Sequence, residues 1–268
     1  MSRIERAFAR ARAEGRAALC VFVTAGDPDL ETTAELLPEL AAAGADVVEL
    51  GVPHSDPIGE GPTIQASSQR SLAHHTTLAQ ILELVRRLRA VTEVPIVLMG
   101  YLNNVLAHGE EQFAKDCAAS GVDGLILVDS PQEETESLSR ACAEHGVERV
   151  LLVAPTSTPA RVMRIAAASR GFVYCVSVTG VTGSRATLPA DLAQLVSRIR
   201  RVTSTPVCVG FGVSTPAQAA EVARLADGVV VGSALVSRIA AAPDRDAAVR
   251  AAREFVAELS AAVRSARP

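Results

Sequence analysis

The chain has 268 residues, 49% of them hydrophobic and 21% charged, with a formal net charge of −4. That length and apolar content suffice for a large buried core, and basic residues scattered along helical segments exclude the electrostatic footprint of a nucleic-acid binder. No apolar stretch reaches the ~18 residues of a membrane span and MSRIERAFARARAEGR lacks the apolar core of a signal peptide, so a cytoplasmic protein with no membrane contact is expected.

In chain order, a helix-period segment from Ile4 to Glu14 comes first, and short apolar runs then alternate with longer amphipathic stretches. The runs are CVFVTA (20–25), DVVELG (46–51), PIVLMG (95–100), GLILVD (124–129), RVLLVA (149–154), FVYCVS (172–177), PVCVGFG (206–212) and DGVVVG (227–232). Each is continuous rather than alternating, as in parallel strands covered on both faces, while LETTAELLPELAAAG and PADLAQLVSRIRR (189–201) carry helix period. Strand then helix, eight times, predicts a single α/β domain over residues 1–268, a (β/α)8 TIM barrel whose extra N-terminal helix closes the bottom. An open doubly wound sheet is disfavoured by the strand count and by the lack of an early G-x-G-x-x-G turn. The five cysteines, Cys20, Cys117, Cys142, Cys175 and Cys208, stand far apart, so neither a structural disulfide nor a zinc site is expected.

A barrel carries its chemistry on the loops that follow the strands. The second run leads into ELGVPHSDPIGEGPTIQ (49–65), which puts Glu49 at the inner mouth and Glu60, between Gly59 and Gly61, above it. An acid at a strand end is commonly just solvated or ion-paired. Here the density of Gly and Pro around the acids suits a loop built to hold side chains in place. After the sixth, seventh and eighth runs come VTGVTG (178–183), GFGVSTP (210–216) and VGSALV (231–236), glycine-bearing turns before helix starts. Backbone N–H groups so arranged bind phosphate without a basic side chain, so the expected substrate is a phosphate ester.

The chain's lone lysine, Lys115, lies in the helix-like EEQFAKDCAAS, away from every strand end, which leaves a Schiff-base aldolase without its nucleophile. His54, His74, His75, His108 and His145 fall on loops or helices rather than at strand ends, with His74-His75 reading as a solvated helix start, so no catalytic metal is expected. What remains is metal-free, cofactor-free acid–base chemistry by carboxylates. Tyr101 and Tyr174 are hydroxyl candidates at strand ends, and Phe22 and Phe211 form either an apolar wall or ordinary core.

FVTAGDP (22–28), the loop from Glu49 to Gln65, LMGYLNN (98–104), LVDSPQEE (127–134), GVTGSR (180–185), GFGVSTP and GSALV resemble, in order and over essentially the full length, the alpha chain of tryptophan synthase. The resemblance implies cleavage of indole-3-glycerol phosphate to indole and glyceraldehyde 3-phosphate. It also implies a beta-chain partner in an alpha2beta2 complex, to which indole passes. Glu49 would then be the proton shuttle, protonating the indole carbon that bears the glycerol chain and afterwards taking the proton of the hydroxyl whose collapse breaks the C–C bond. Glu60 would hold the indole N–H and stabilise charge on the ring. Phe22, Tyr101, Asp129, Tyr174, Thr182 and Phe211 match pocket-lining positions, and Gly183, Gly212, Gly232 and Ser233 match the phosphate cradle.

This sequence departs from the family in having Glu60 in G-E-G where aspartate in A-D-G is usual, and His54 where an aromatic residue is usual. Gly59 is expected to let the backbone retract to accommodate the longer acid. Two other readings use the same residues: a stand-alone lyase releasing free indole without a beta chain, and a non-catalytic relative that binds a sugar phosphate.

Overall fold

A computed structural model describes residues 1–176, 192–210 and 212–266. The first half runs α1 (Arg3–Ala13), β1 (Ala18–Thr24), α2 (Leu30–Ala42), β2 (Val47–Gly51), α3 (Pro62–Ala73), α4 (Leu78–Leu88), β3 (Ile96–Gly100), α5 (Leu102–His108), α6 (Glu110–Ser120) and β4 (Gly124–Leu127). The second half runs α7 (Glu136–Glu144), β5 (Glu148–Arg149), β6 (Leu151–Val153), α8 (Pro159–Ala168), β7 (Val173–Val176), α9 (Leu192–Arg200), β8 (Val207–Gly210), α10 (Pro216–Leu225), β9 (Gly228–Val231), α11 (Ser233–Ala241) and α12 (Arg245–Ser265).

The pairings are parallel and the strand order is β5-β4-β3-β2-β1-β9-β8-β7-β6. The two ends of that order, β5 and β6, are consecutive in the chain with only Val150 between them, and the Val150 N–H still donates to Leu125 O at 3.1 Å. They are the two halves of one barrel position: the first half pairs with β4 and the second with β7, so the sheet closes on itself. The eight predicted runs thus appear as nine strands, and the TIM-barrel expectation holds.

Continuous apolar runs are needed because both faces of each strand are buried. Cys20, Phe22, Val47, Val97, Met99, Ile126, Val150, Tyr174, Cys208 and Val230 fill the lumen, while Leu19, Val21, Val48, Leu50, Ile96 and Leu98 pack outward under the helices. Helix α1 plugs the lower end with Ile4, Ala7, Phe8 and Ala11, and the Phe8 ring lies 5.7 Å from that of Phe172. Its start is fixed by a capping box in which Ser2 Oγ accepts the Glu5 N–H and the Glu5 carboxylate accepts the Ser2 N–H.

A repeated ion-pair clasp sets the strand starts. Asp46, Asp123 and Asp227 each precede a strand and accept a backbone N–H from the neighbouring one: Leu19 at 2.9 Å, Ile96 at 2.8 Å and Val207 at 3.0 Å. Each also holds an arginine, Arg16 at 2.6 Å, Arg89 at 2.7 Å and Arg200 at 2.8 Å. The clasps fix register at the barrel floor, which in turn fixes which side chains reach the mouth. His74 and His75 are exposed at the end of α3, with His75 at φ +56°, so they close a helix rather than start one; Thr77 caps the next. Among the described residues no helix is long and apolar enough to cross a membrane.

Candidate active site

Glu49 is the middle residue of β2, in register with Phe22 on β1 and Val97 on β3. It shares the inward parity of Val47, and its side chain is 0% exposed. Among the described residues neither carboxylate oxygen has a hydrogen-bond partner. An ionised carboxylate left so would be very costly, and the chemistry responds by holding the proton. Burial first, and the Glu60 charge second, push the Glu49 carboxyl up to about 8. A protonated acid at neutral pH therefore faces the lumen beneath the mouth.

Glu60 lies on the loop between β2 and α3 and is only 7% exposed. Its backbone is held on both sides: its N–H donates to Pro57 O at 3.0 Å, and its C=O accepts from Gln65 Nε2 at 2.8 Å. The residue before it, Gly59, donates its N–H to the Tyr101 hydroxyl at 3.1 Å. Tyr101 follows β3; burial, with the Glu60 charge next, pushes its hydroxyl up to about 12. On its other side the Tyr101 ring stacks on His54, with centroids 4.4 Å apart. A Cβ added at Gly59 would make only ordinary contacts, 3.4 Å to the Tyr101 hydroxyl and 3.7 Å to Val128, so space alone does not require glycine there and the accommodation expected of Gly59 is not steric.

Tyr174 on β7 enters the same cluster. Its hydroxyl fills the space that a Gly210 Cβ would need, 2.3 Å away, and burial together with the charges of Glu49 and Glu60 raises it well above the usual phenol range. Phe22 is seated similarly, its ring tip 2.5 Å from where a Gly51 Cβ would stand. Phe22, Glu60 and Tyr101 line one cleft together with Thr24, Val52, Ile64, Ser68 and Met99, none of which the sequence reading singled out. Thr24 is locked by a 2.6 Å hydrogen bond to Ser67, and the β1 loop is tied to α3 by a bidentate Arg70–Asp27 pair at 2.6 and 2.8 Å. Asp129 is exposed, and its carboxylate accepts the N–H of Leu102 at 2.9 Å, beside Tyr101 at the start of α5.

Of the expected phosphate cradle, Gly212 has φ +93°, a left-handed conformation that favours glycine. Gly232 is the N-cap of α11 and Ser233 its first residue, which puts the free N–H groups of a helix start at the end of β9. A Cβ at Gly232 would stand 3.3 Å from the Phe22 Cβ, so the cradle and the cleft wall are in contact. Thr182, Gly183 and Phe211 lie outside the described residues. Among the described residues no three His, Cys, Asp or Glu side chains converge as a metal site would need.

The arrangement is a protonated buried acid, a second acid on an anchored loop, two tyrosines and a helix start. The sequence and the fold are both similar to those of known proteins. The model of the family "Tryptophan synthase alpha chain" matches residues 8–264. The tryptophan synthase alpha chain of Geobacter sulfurreducens is 56% identical over 237 residues, covering 88% of this chain and 89% of its own. That of Acidiphilium cryptum is 51% identical and covers 100% of this chain and 99% of its own. Among solved structures, a chain of Mycobacterium tuberculosis tryptophan synthase superposes with a TM-score of 0.91 at 39% identity, covering 98% of both chains. The tryptophan synthase subunit alpha of Legionella pneumophila gives 0.89 at 36% identity, again covering 98% of both. With a family match over nearly its whole length and relatives above half identity, this chain belongs to the tryptophan synthase alpha chain family.

Proposed function

We propose that residues 1–268 act as one catalytic barrel, a carbon–carbon lyase that cleaves indole-3-glycerol phosphate to indole and glyceraldehyde 3-phosphate as the alpha subunit of a tryptophan synthase. The observation that carries the reading is the Glu49 carboxyl, fully buried, without a hydrogen-bond partner among the described residues and held up to about 8. Such a group is protonated at neutral pH yet close enough to its ionisation to give the proton up and take one back. Glu49 donates its proton to the indole carbon bearing the glycerol chain. The resulting carboxylate then accepts the proton of the neighbouring hydroxyl, the C–C bond breaks as that oxygen becomes the aldehyde carbonyl, and the bond's electrons return to the ring as indole forms. The proton gained equals the proton given, so Glu49 ends as it began.

Glu60 is the electrostatic partner. It accepts the indole N–H and offsets the positive charge that develops on the protonated ring, where a fixed charge in a dry site counts most. Phe22, Tyr101 and Tyr174 supply apolar and hydroxyl walls, with Asp129 beside Tyr101 and Thr182 and Phe211 completing the pocket. Gly183, Gly212, Gly232 and Ser233 hold the phosphate through backbone N–H groups, those of Gly232 and Ser233 at the start of α11. No cofactor or metal enters the reaction. The chain works in the cytoplasm and docks a beta chain over the mouth. Ile58, 80% exposed after β2, and Leu106, 57% exposed on α5, are apolar residues that such a partner would cover.

The deciding experiment is a steady-state assay of indole release from indole-3-glycerol phosphate, with and without added beta chain. Release that is abolished in Glu49→Gln supports the reading. A pure parent protein that binds the substrate and releases no indole under either condition overturns it.

A further inference from the structure

A groove of about 590 Å³ opens on the barrel floor, between α1, the end of α2 and the segments that lead into β2 and β3, at the opposite end from Glu60 and Tyr101. Its base is apolar and built of small side chains: Ala7, Ala45, Val94 and Pro95 are buried there, with Ala41 of α2 beside them. Its rim is cationic. Arg3, Arg6 and Arg10, three and four residues apart, share one face of α1 and line the groove against a single carboxylate, Glu93. In a chain with a net charge of −4 this is a local reversal of sign.

The pairing around the rim leaves one of the three charges unanswered. Arg3 Nε donates to Glu93 at 2.7 Å and its Nη1 to Asp123 at 3.3 Å. Arg10 donates to Asp46 at 3.0 Å, a carboxylate that Arg16 already grips with bonds of 2.6 and 2.9 Å. The Arg6 side chain donates to a backbone oxygen, that of Met1 at 2.9 Å, and among the described residues it forms no ion pair. Glu93 is the acid whose field it shares, and Glu93 is bonded to Arg3. We propose that this groove is a binding site for a small organic monoanion, a carboxylate on an aromatic or branched apolar body, separate from the cleft at the mouth. Residues four apart on a helix are neighbours, so the guanidiniums of Arg6 and Arg10 can converge on one carboxylate, and the planar fork of arginine matches it. The body lies on Ala7, Ala45, Val94 and Pro95, whose small side chains leave the room, and the volume is that of a small-molecule pocket. An exposed ion pair alone is weak, so the two halves act together. An inorganic anion leaves the apolar base wet, and a neutral aromatic leaves Arg6 unmatched.

The test titrates 1-naphthoate into the nitrogen-15-labelled full chain at fixed pH and ionic strength and follows the backbone amide signals. Those of Ala7, Arg10 and Val94 should shift saturably with a midpoint of about 1 mM, the affinity expected for a ligand of this size. Arg6→Glu, at an exposed position, should raise that midpoint at least tenfold. Ala41→Leu, which narrows the groove and leaves its charge alone, should raise it as well. The parent itself supplies the control: 1-naphthamide, with the same ring and no charge, should leave these signals in place at the same concentration. Shifts confined to the mouth around Gly59 and Tyr101, an Arg6→Glu chain that titrates like the parent, or an amide that binds like the carboxylate each overturn the proposal. So does movement of the groove signals with protein concentration alone, which would assign the groove to a second copy of the chain.

Discussion

The charge of Glu60 adds to the burial of Glu49, and together they hold the Glu49 carboxyl at about 8 rather than at the ordinary 4.5. In the unfolded chain Glu49 ionises near 4.5, so between that pH and about 8 the folded state keeps a proton that the unfolded state has lost. Stability is then greatest below the lower value and declines as pH rises through the higher one, by an amount on the order of a few kcal/mol. Glu49→Gln is neutral at every pH and escapes that decline. It should melt higher than the parent at pH 8, with the gap closing towards pH 5, while turnover drops at least ~100-fold. Thermal melts across pH 5 to 8.5 beside steady-state assays check both halves. A variant that melts no higher at pH 8, or that turns over near the parent rate, removes Glu49 from its place.

The Glu60 backbone is tied to Pro57 and Gln65, so the loop has little freedom to follow a shorter acid inward. Glu60→Asp withdraws the carboxylate by roughly 1 Å, and a displacement of that size costs up to about 100-fold in rate. A fall in kcat of tenfold or more is expected, and a faster variant would mean that Glu60 is ill-placed as it stands. Gly59→Ala, by contrast, should stay within about threefold of the parent, since the added methyl meets only ordinary contacts at 3.4 and 3.7 Å.

Tyr101 fixes the loop from the other side, through its hydroxyl and the Gly59 N–H. Tyr101→Phe keeps the ring that stacks on His54 and removes only the acceptor. A lost hydrogen bond of this kind costs about 1 kcal/mol, or roughly fivefold. The loss should fall on kcat/KM for cleavage and leave inhibition by inorganic phosphate unchanged; a weakened phosphate inhibition would show that Tyr101 supports the whole mouth rather than the Glu60 loop.

Much of this was legible in the sequence because continuous apolar runs and helix period are strong local signals, and Glu49 is the one charged residue inside such a run before the loop that carries Glu60. The fifth run gave no sign that its halves pair with different neighbours, since Val150 looks like any other strand residue. Thr24, Ile64 and Met99 line the cleft but carry the types and spacing of ordinary core, so nothing local marks them. The Asp–Arg clasps join positions up to 34 residues apart, which periodicity cannot pair. Gly59 suggested a backbone able to retract for the longer acid, whereas a Cβ there would meet only ordinary contacts, so space alone does not require glycine. The histidines at 74 and 75 misled because helix ends and starts are equally polar, and only the capping Thr77 two residues later shows which way the chain turns.

With the proposed phosphate cradle at the start of α11, Gly232 would meet two demands, the approach of phosphate to the backbone and the 3.3 Å gap from an added Cβ to the Phe22 Cβ. A branched side chain there occupies the anion's space and presses on the pocket wall. Gly232→Val should therefore raise KM more than it lowers kcat, and should weaken competitive inhibition by inorganic phosphate in parallel. An unchanged KM and phosphate inhibition would move the cradle elsewhere.

The beta chain, if it docks over the mouth, acts on a loop whose position the reaction depends on. His54 stacks on Tyr101, Tyr101 holds Gly59, and Gly59 adjoins Glu60, so a partner that touches the outer end of this series biases the inner end. Added beta chain should then stimulate indole release well beyond threefold, more than ~0.7 kcal/mol of coupling. The surface that receives it can be tested apart from the chemistry, because Leu106 is 57% exposed on α5 and takes no part in the cleft. Leu106→Asp places a charge where the partner would bury an apolar side chain, at a cost that weakens docking while the chain alone keeps its basal rate. Titration of the variant with beta chain should need a higher concentration to reach half-maximal stimulation. Stimulation below threefold in the parent would instead fit a lyase that works alone, and a variant titrating like the parent would place the docking surface away from α5.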